Sequence, residues 1–152
     1  MPLEDQLGYF FFDKSHLRQA LTHSSYGLED PNPDPKQAQL PDQSAYGLLG
    51  SAVLDAVLTE LLIRSGHTAQ QAIVARKVEL KQIEKLAELS QTVGAGYVLK
   101  LGHQAKQQQA YDNPMILAET LEAVVGAVYF DGGFSAARRV VQKLFRAEFD
   151  LD

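Results

Sequence analysis

Two carboxylates stand in an apolar segment where a charge is costly. The segment Ile116–Phe134 reads ILAETLEAVVGAVYFDGGF, and Glu119 and Glu122 lie three residues apart within it. In a helix this spacing places both side chains on one face. An acid in such surroundings either pairs with a Lys, Arg or His, or belongs to a polar site whose function requires negative charge. The two glutamates are therefore the first candidate functional residues of the chain.

A second apolar segment has similar character but carries no acid where one would be sought. It reads LLGSAVL at Leu48–Leu54, and the positions at which facing acids would be expected are Gly47 and Ser51. Glycine has no side-chain ligand atom, and a serine hydroxyl is neutral. Any site shared by the two segments is thus short of negative charge.

Apolar residues recur at helical spacing through most of the chain, and no strand pattern competes with them. This periodicity predicts an all-α fold. Ser15 is the candidate N-cap of the first short helix, and Thr68–Thr92 is expected to form one long helix or two. The predicted helices are Ser15–Leu21, Ser44–Arg64, Thr68–Thr92, Met115–Asp131, which ends at Gly132 and Gly133, and a last helix that begins at Ser135.

Length and composition favour one soluble domain. The 152 residues fit a single domain, 1–152, in which the segment 28–43 is a Pro-rich loop insertion with four of the six prolines. The loop is expected to be flexible. No cysteine is present, no apolar stretch reaches the length of a membrane span, and the N-terminus lacks the order of a secretory signal. A cytoplasmic protein with no membrane partner is expected.

The net charge of −5 argues against strong nucleic-acid binding, because affinity for phosphates comes largely from Lys and Arg. An RNA contact, if present, is expected to be local and sensitive to salt.

Four blocks, taken in order, resemble the endonuclease domain of the ribonuclease III family. They cover most of the chain, and the family's signature, roughly NERLEFLGDAVL, aligns with QSAYGLLGSAVL at Gln43–Leu54. The resemblance implies the family's helical fold. It does not extend to the double-stranded-RNA-binding module that often follows this domain, so a standalone domain is expected. The four blocks are Leu7–Ser25, Leu48–Leu58, Lys85–Gly102 and Leu117–Gly133.

The resemblance also assigns roles to the four positions named above. The family's metal-binding glutamate falls on Gly47 and its metal-binding aspartate on Ser51, while the other acidic pair falls on Glu119 and Glu122. Phosphodiester cleavage of this kind uses Mg²⁺ or Mn²⁺ held by hard oxygen ligands. Two of four carboxylates remain, so the catalytic and metal role of Glu119 and Glu122 is expected to be weak or vestigial. If the protein is inactive, no cofactor is expected.

The same resemblance suggests residues that contact RNA. Lys77, Lys81 and Lys85 lie four apart, Arg76 is adjacent, and Lys106 lies in a later Gln-rich segment where the family has a basic loop. A row of cations suits the phosphates of double-stranded RNA. The alternative is a solvated helix face with interleaved glutamates.

Leu48 aligns with an aromatic residue that, in the family, projects into a socket on the other subunit. With Tyr46 and Leu49 beside it, this implies a homodimer; the alternative is that these residues belong to the core of one subunit.

The main hypothesis is a catalytically degenerate ribonuclease III-like protein, a pseudoenzyme. It would act in RNA processing or ribonucleoprotein assembly by binding RNA or by dimerising. A second hypothesis is a weakly active metal-dependent endoribonuclease that recruits another acid, such as Asp42, Asp55 or Asp112. A third is a regulatory heterodimer partner of an active homologue.

Overall fold

A computed structural model describes residues 2–28 and 41–149. Most of the Pro-rich segment 28–43 lies outside these ranges, as do Met1 and residues 150–152. Within the described chain the regular structure is helical, and the all-α prediction is confirmed. One isolated bridge joins Thr22 to Lys100. The α-helices are α1 (Pro2–Leu7), α2 (Lys14–Ala20), α3 (Ser25–Leu28), α4 (Ser44–Arg64), α5 (Gln70–Leu80), α6 (Ile83–Val93), α7 (Ala95–Val98), α8 (His103–Gln107), α9 (Pro114–Leu144) and α10 (Arg146–Phe149), and a 3-10 turn spans Ala110–Asp112.

The core is built around the contact between α4 and α9, the pair of helices with the most extensive packing. Leucines and valines of both helices are buried there, among them Leu54, Leu58, Leu121 and Val125. α9 bends at Gly133, where φ is 85° and ψ is 178°. The predicted stop at Gly132 and Gly133 is therefore a kink, after which the chain returns directly to helix.

Two glycines let the backbones of α4 and α9 touch. A Cβ atom on Gly50 would lie 1.6 Å from the carbonyl oxygen of Glu122, and one on Gly126 would lie 2.1 Å from the carbonyl oxygen of Tyr46. No side chain fits between the helices at this crossing. The crossing holds the α4 turn that carries Ser51 directly against the α9 turn that carries Glu122.

The length of α4 corrects one expectation. Ser44–Arg64 has 21 residues and contains an 18-residue window with a mean hydropathy of 1.6, so by length and composition alone it is long and apolar enough to span a membrane. Its apolar composition has a structural cause, because the helix packs along α9 in the core. Core helices of soluble proteins share this composition.

One helix start differs from the sequence expectation, and an alternative that the sequence left open is decided. α2 begins at Lys14, and the cap is Asp13, whose Oδ1 accepts a hydrogen bond from the Ser15 backbone N at 2.9 Å; Ser15 is not the cap. Thr68–Thr92 forms two helices, separated at Lys81 and Gln82, where Gln82 takes an extended conformation.

Candidate functional site

Gly47, Ser51, Glu119 and Glu122 meet around one cavity of about 380 Å³. α4 supplies the first two positions and α9 the other two, because the glycine crossing brings these turns together. The sequence alignment placed these four positions at one site, and they do line one surface. The other lining residues are His23, Ser24, Gln43, Ser44 and Leu48.

Glu122 is the half-buried acid of the site, and Glu119 is exposed. Burial raises the pKa of the Glu122 carboxyl, and the negative charge of Glu119 raises it further. A hydrogen bond with Ser51 and the positive charge of Lys81 act in the opposite direction but do not cancel the rise. The carboxylate thus already has a hydroxyl and an ammonium group as partners.

Lys81, the residue that follows α5, lies beside the site without lining the cavity. Its Nζ lies 3.4 Å from both the backbone oxygen and the Oγ of Ser51. It also lies 3.8 Å from Oδ1 of Asp55, an oxygen that Lys77 contacts more closely, at 3.0 Å. A cation therefore stands beside the residue at the family's aspartate position. Sequence spacing places Lys81 in a row on its own helix and gives no signal of this contact.

The donor set does not fit a divalent metal. Within residues 2–28 and 41–149 no three His, Cys, Asp or Glu side chains are grouped closely enough to hold one. Gly47 offers no ligand, the Ser51 hydroxyl is neutral, and the Lys81 ammonium lies 3.4 Å from that hydroxyl. Magnesium sites are built from hard oxygen ligands, chiefly carboxylates and waters.

The three aspartates considered as replacement metal ligands either have other partners or lie at another cavity. Asp55 pairs with Lys77, and Asp42 Oδ1 accepts a hydrogen bond from the Ser44 backbone N at 2.8 Å. Asp112 lies at a separate cavity of about 570 Å³ that also contains Lys106 and Tyr111. None of the three joins the two glutamates in a group able to hold a metal.

The predicted RNA-contacting cations do not form one continuous row. Because α5 ends at Leu80, Lys85 lies on the next helix, α6, and pairs with Glu148, while Arg76 pairs with Glu79 at 2.7 Å. With Lys77 and Lys81 turned toward Asp55, all four cations of this region have acidic neighbours. Lys106, on α8, is exposed and stands apart from them.

Of the three residues predicted at a subunit contact, only Leu48 is fully at the surface, with 78% of it exposed. Leu49 is partly buried against the core. Tyr46 is buried within the subunit: its hydroxyl lies 2.6 Å from Nδ1 of His16, and its ring stacks on Phe130 with centroids 5.1 Å apart. Tyr46 is thus an internal residue, because its position on α4 faces α9 and α2 and not solvent.

Gln43 and Ser44 line the cavity but were not singled out as site residues by sequence. The Gln43 side chain is buried, and its Nε2 donates to the backbone oxygen of Ala20 and to the Thr120 hydroxyl. It joins α2, α4 and α9 beside the site. Its place at the start of the Gln43–Leu54 block is the only sequence signal for it.

A family model described as Ribonuclease-III-like matches residues 13–148. The chain belongs to the ribonuclease III-like family. It is 35% identical to Ribonuclease 3 of Azorhizobium caulinodans over 149 residues, which are 97% of this chain and 61% of that protein. It is 32% identical to Ribonuclease 3 of Caldanaerobacter subterraneus over 149 residues, which are 97% of this chain and 63% of that protein. The chain thus spans about three fifths of these relatives.

Solved structures give the same result for the fold. The nuclease domain of ribonuclease III from Campylobacter jejuni, described as flexible in a region involved in dimer formation, superposes with a TM-score of 0.85. It is 26% identical, and the match covers 98% of this chain and 97% of that one. A second structure of that domain gives 0.82 at 26% identity, covering 97% and 94% of the two chains. The ribonuclease III-like fold predicted from the sequence is confirmed.

Proposed function

We propose that this domain is a ribonuclease III-like protein that does not cleave RNA and that acts in RNA processing by pairing with a second subunit and contacting double-stranded RNA. The observation that carries the proposal is the composition of the cavity. Of the four positions that the family resemblance assigns to acids, only Glu119 and Glu122 bear a carboxylate.

The absence of two carboxylates greatly reduces the electrostatic attraction of the site for a dication. Near a protein surface, two unit charges 4 Å apart interact by about 4 kcal/mol, and a dication doubles the attraction to each carboxylate. Replacing two carboxylates by Gly47 and Ser51 removes about half of that attraction, and the nearby Lys81 ammonium opposes what is left.

Subunit pairing is supported by Leu48. A large apolar side chain that is 78% exposed at the rim of the cavity is well placed to be covered by another protein surface. A homodimer is the simplest arrangement. The same exposed leucine also fits a heterodimer with an active relative, in which this subunit would supply the contact surface and its partner the complete acidic site.

Contact with RNA is expected to be weak. The net charge is −5, and four of the five predicted RNA-contacting cations have acidic neighbours in the structure. Each phosphate contact that does form would release counterions, so binding should fall as salt increases.

A cleavage assay with long double-stranded RNA tests the proposal. Purified protein should leave the RNA intact in Mg²⁺ and in Mn²⁺, and Glu122→Gln should give the same result. An active bacterial ribonuclease III serves as the positive control. Cleavage by the wild-type protein that Glu122→Gln abolishes would contradict the proposal and favour a weakly active endoribonuclease.

Binding and pairing are measured separately from cleavage. A gel-shift titration of the same RNA in EDTA, repeated at rising salt, reports the RNA contact. Analytical ultracentrifugation of the protein alone at tens of micromolar reports the homodimer. A monomer that pairs only when an active relative is added would favour the heterodimer.

A further inference from the structure

We propose that Lys81, whose ammonium stands beside this cavity at Ser51, provides the positive charge that a bound metal would supply there and thereby opposes the binding of Mg²⁺ and Mn²⁺. This rests on the proposed function, since it concerns the same cavity. It goes further by naming a residue whose positive charge opposes metal binding. This effect adds to the absence of two acidic ligands.

The position of Lys81 is set by the backbone. Its N–H donates to the backbone oxygen of Lys77 at 2.9 Å, which closes the last turn of α5, and the preceding Leu80 is buried with 2% exposed. The side chain then crosses to α4 and is itself only 24% exposed. An ammonium group held by a helix end and a buried neighbour is more restricted than one on a free surface.

The groups around the Lys81 ammonium form a connected set. Its Nζ is 3.4 Å from the Ser51 Oγ, and both Ser51 and Lys81 lower the pKa of the Glu122 carboxyl against the effect of burial. A serine hydroxyl has one proton to donate and lone pairs to accept with. Ser51 can therefore donate to the Glu122 carboxylate and accept from Lys81, so that it links the cation to the acid.

The charges nearby leave Lys81 available for this role. Asp55 is the only acid with an ion pair to Lys81 among the described residues, and Lys77 contacts the same Asp55 oxygen at 3.0 Å against 3.8 Å for Lys81. Lys77 is thus the closer partner of Asp55. The charge of Lys81 also lowers the pKa of Glu122 against the effect of burial, which agrees with an ammonium group acting on that carboxylate.

This arrangement has a consequence for any attempt to rebuild a metal site. The obvious repair is Gly47→Glu with Ser51→Asp, which restores the two acids that the family resemblance calls for. A Cβ at Gly47 meets only the Glu119 carbonyl oxygen, at 3.7 Å, so a side chain fits there. An aspartate at 51, however, would stand within reach of the Lys81 ammonium and would pair with it. The double change alone should therefore recover metal binding only in part.

The test measures Mn²⁺ binding by isothermal titration calorimetry on the whole chain. Three proteins are compared: wild type, Gly47→Glu with Ser51→Asp, and that double variant with Lys81→Met added. Methionine keeps the unbranched length and removes the charge. The wild type should show no measurable binding, the double variant weak binding, and the triple variant binding at least about tenfold tighter than the double.

Lys77→Met in the same double background is the matched control. It removes a cation from the same helix, one turn away, that pairs with Asp55 and makes no contact with Ser51. It should change the Mn²⁺ affinity of the double variant by less than about threefold. Circular dichroism and thermal unfolding establish that each variant is folded, and Lys81→Gln replaces Lys81→Met if the latter does not fold.

Equal Mn²⁺ affinities for the double and triple variants would overturn the role of Lys81, and so would an equal gain from Lys77→Met. Measurable Mn²⁺ binding by the wild type, in which Lys81 is intact, would overturn it as well. These outcomes are distinct from failure of the proposed function, which is read as RNA cleavage by the wild-type protein and not as metal affinity.

Discussion

Replacing Gly50 by alanine tests the helix crossing that places Ser51 beside Glu122. The added Cβ would lie 1.6 Å from the Glu122 carbonyl oxygen and 2.5 Å from its carbonyl carbon. Ordinary contact begins at 3.4 Å, so the two helices must separate locally by 1.8 Å, the difference between these distances. The obstructing atoms belong to the backbone of α9, and no side-chain rotation can relieve the overlap.

The cost follows from the rigidity of both helices. Overpacking a core usually costs about 1–3 kcal/mol. Because the clash here is between backbones, we expect Gly50→Ala to lower the free energy of unfolding by about 3 kcal/mol or more. For a domain of this size each kcal/mol shifts Tm by about 2–4 °C, which gives a loss of about 6–12 °C.

Gly47→Ala is the matched control, because Gly47 lies one turn earlier on the same helix. Its nearest obstacle is the Glu119 carbonyl oxygen at 3.7 Å, an ordinary contact. Alanine is favoured over glycine in a helix interior by about 1 kcal/mol, so Tm should rise by about 2–4 °C.

Thermal unfolding followed by circular dichroism, with urea denaturation for the free energies, measures both variants. A Gly50→Ala protein within about 0.5 kcal/mol of the wild type would refute the close backbone contact, since surface substitutions have effects of that size. A Gly47→Ala protein that is strongly destabilised would show that this position is not open toward the cavity.

Two further predictions use other parts of the molecule. Leu48→Asp should convert a dimer to a monomer in sedimentation velocity, because it places an unpaired charge in the subunit contact. Tm should not fall, because the Leu48 side chain is exposed in the single subunit. A dimer that persists would show that the contact lies elsewhere. Hydrogen bonds from Arg138 and Arg64 lower the pKa of Glu60 from 4.5 to about 2, so the stability from these pairs is present above pH 4.5 and is lost as pH falls toward 2. Glu60→Gln should flatten that part of the curve of unfolding free energy against pH, and an unchanged curve would show that Glu60 titrates normally.

Local sequence pattern was sufficient for the five longest helices, but it missed the short helices α1, α3, α7, α8 and α10 and misplaced features that depend on partners. The wide apolar stripe of Ser44–Arg64 predicted a buried central helix, and the helix has those bounds. Asp13 was missed as a cap because Ser15 also suits that role and only the backbone geometry distinguishes them. The spacing of Lys77, Lys81 and Lys85 suggested one row, but the extended conformation of Gln82 ends that helix before Lys85.

In the candidate site too, the sequence predicted some features and only the structure decided others. The alignment assigned Gly47, Ser51, Glu119 and Glu122 to one site, and the α4–α9 crossing does bring them to one cavity. Tyr46 could be read as a surface or a core residue from sequence, and its contact with His16 on another helix decides for the core.

What the sequence by itself determined is the family, the helical fold and the shortage of acids, because these depend on residue types and on their order along the chain. What only the tertiary structure decided is which groups stand next to the remaining acids. Lys81 is thirty residues from Ser51 in the chain, yet its ammonium lies 3.4 Å from the serine hydroxyl. That distance depends on where α5 ends and on how α5 packs against α4, and neither is encoded in the spacing of residues along a single helix.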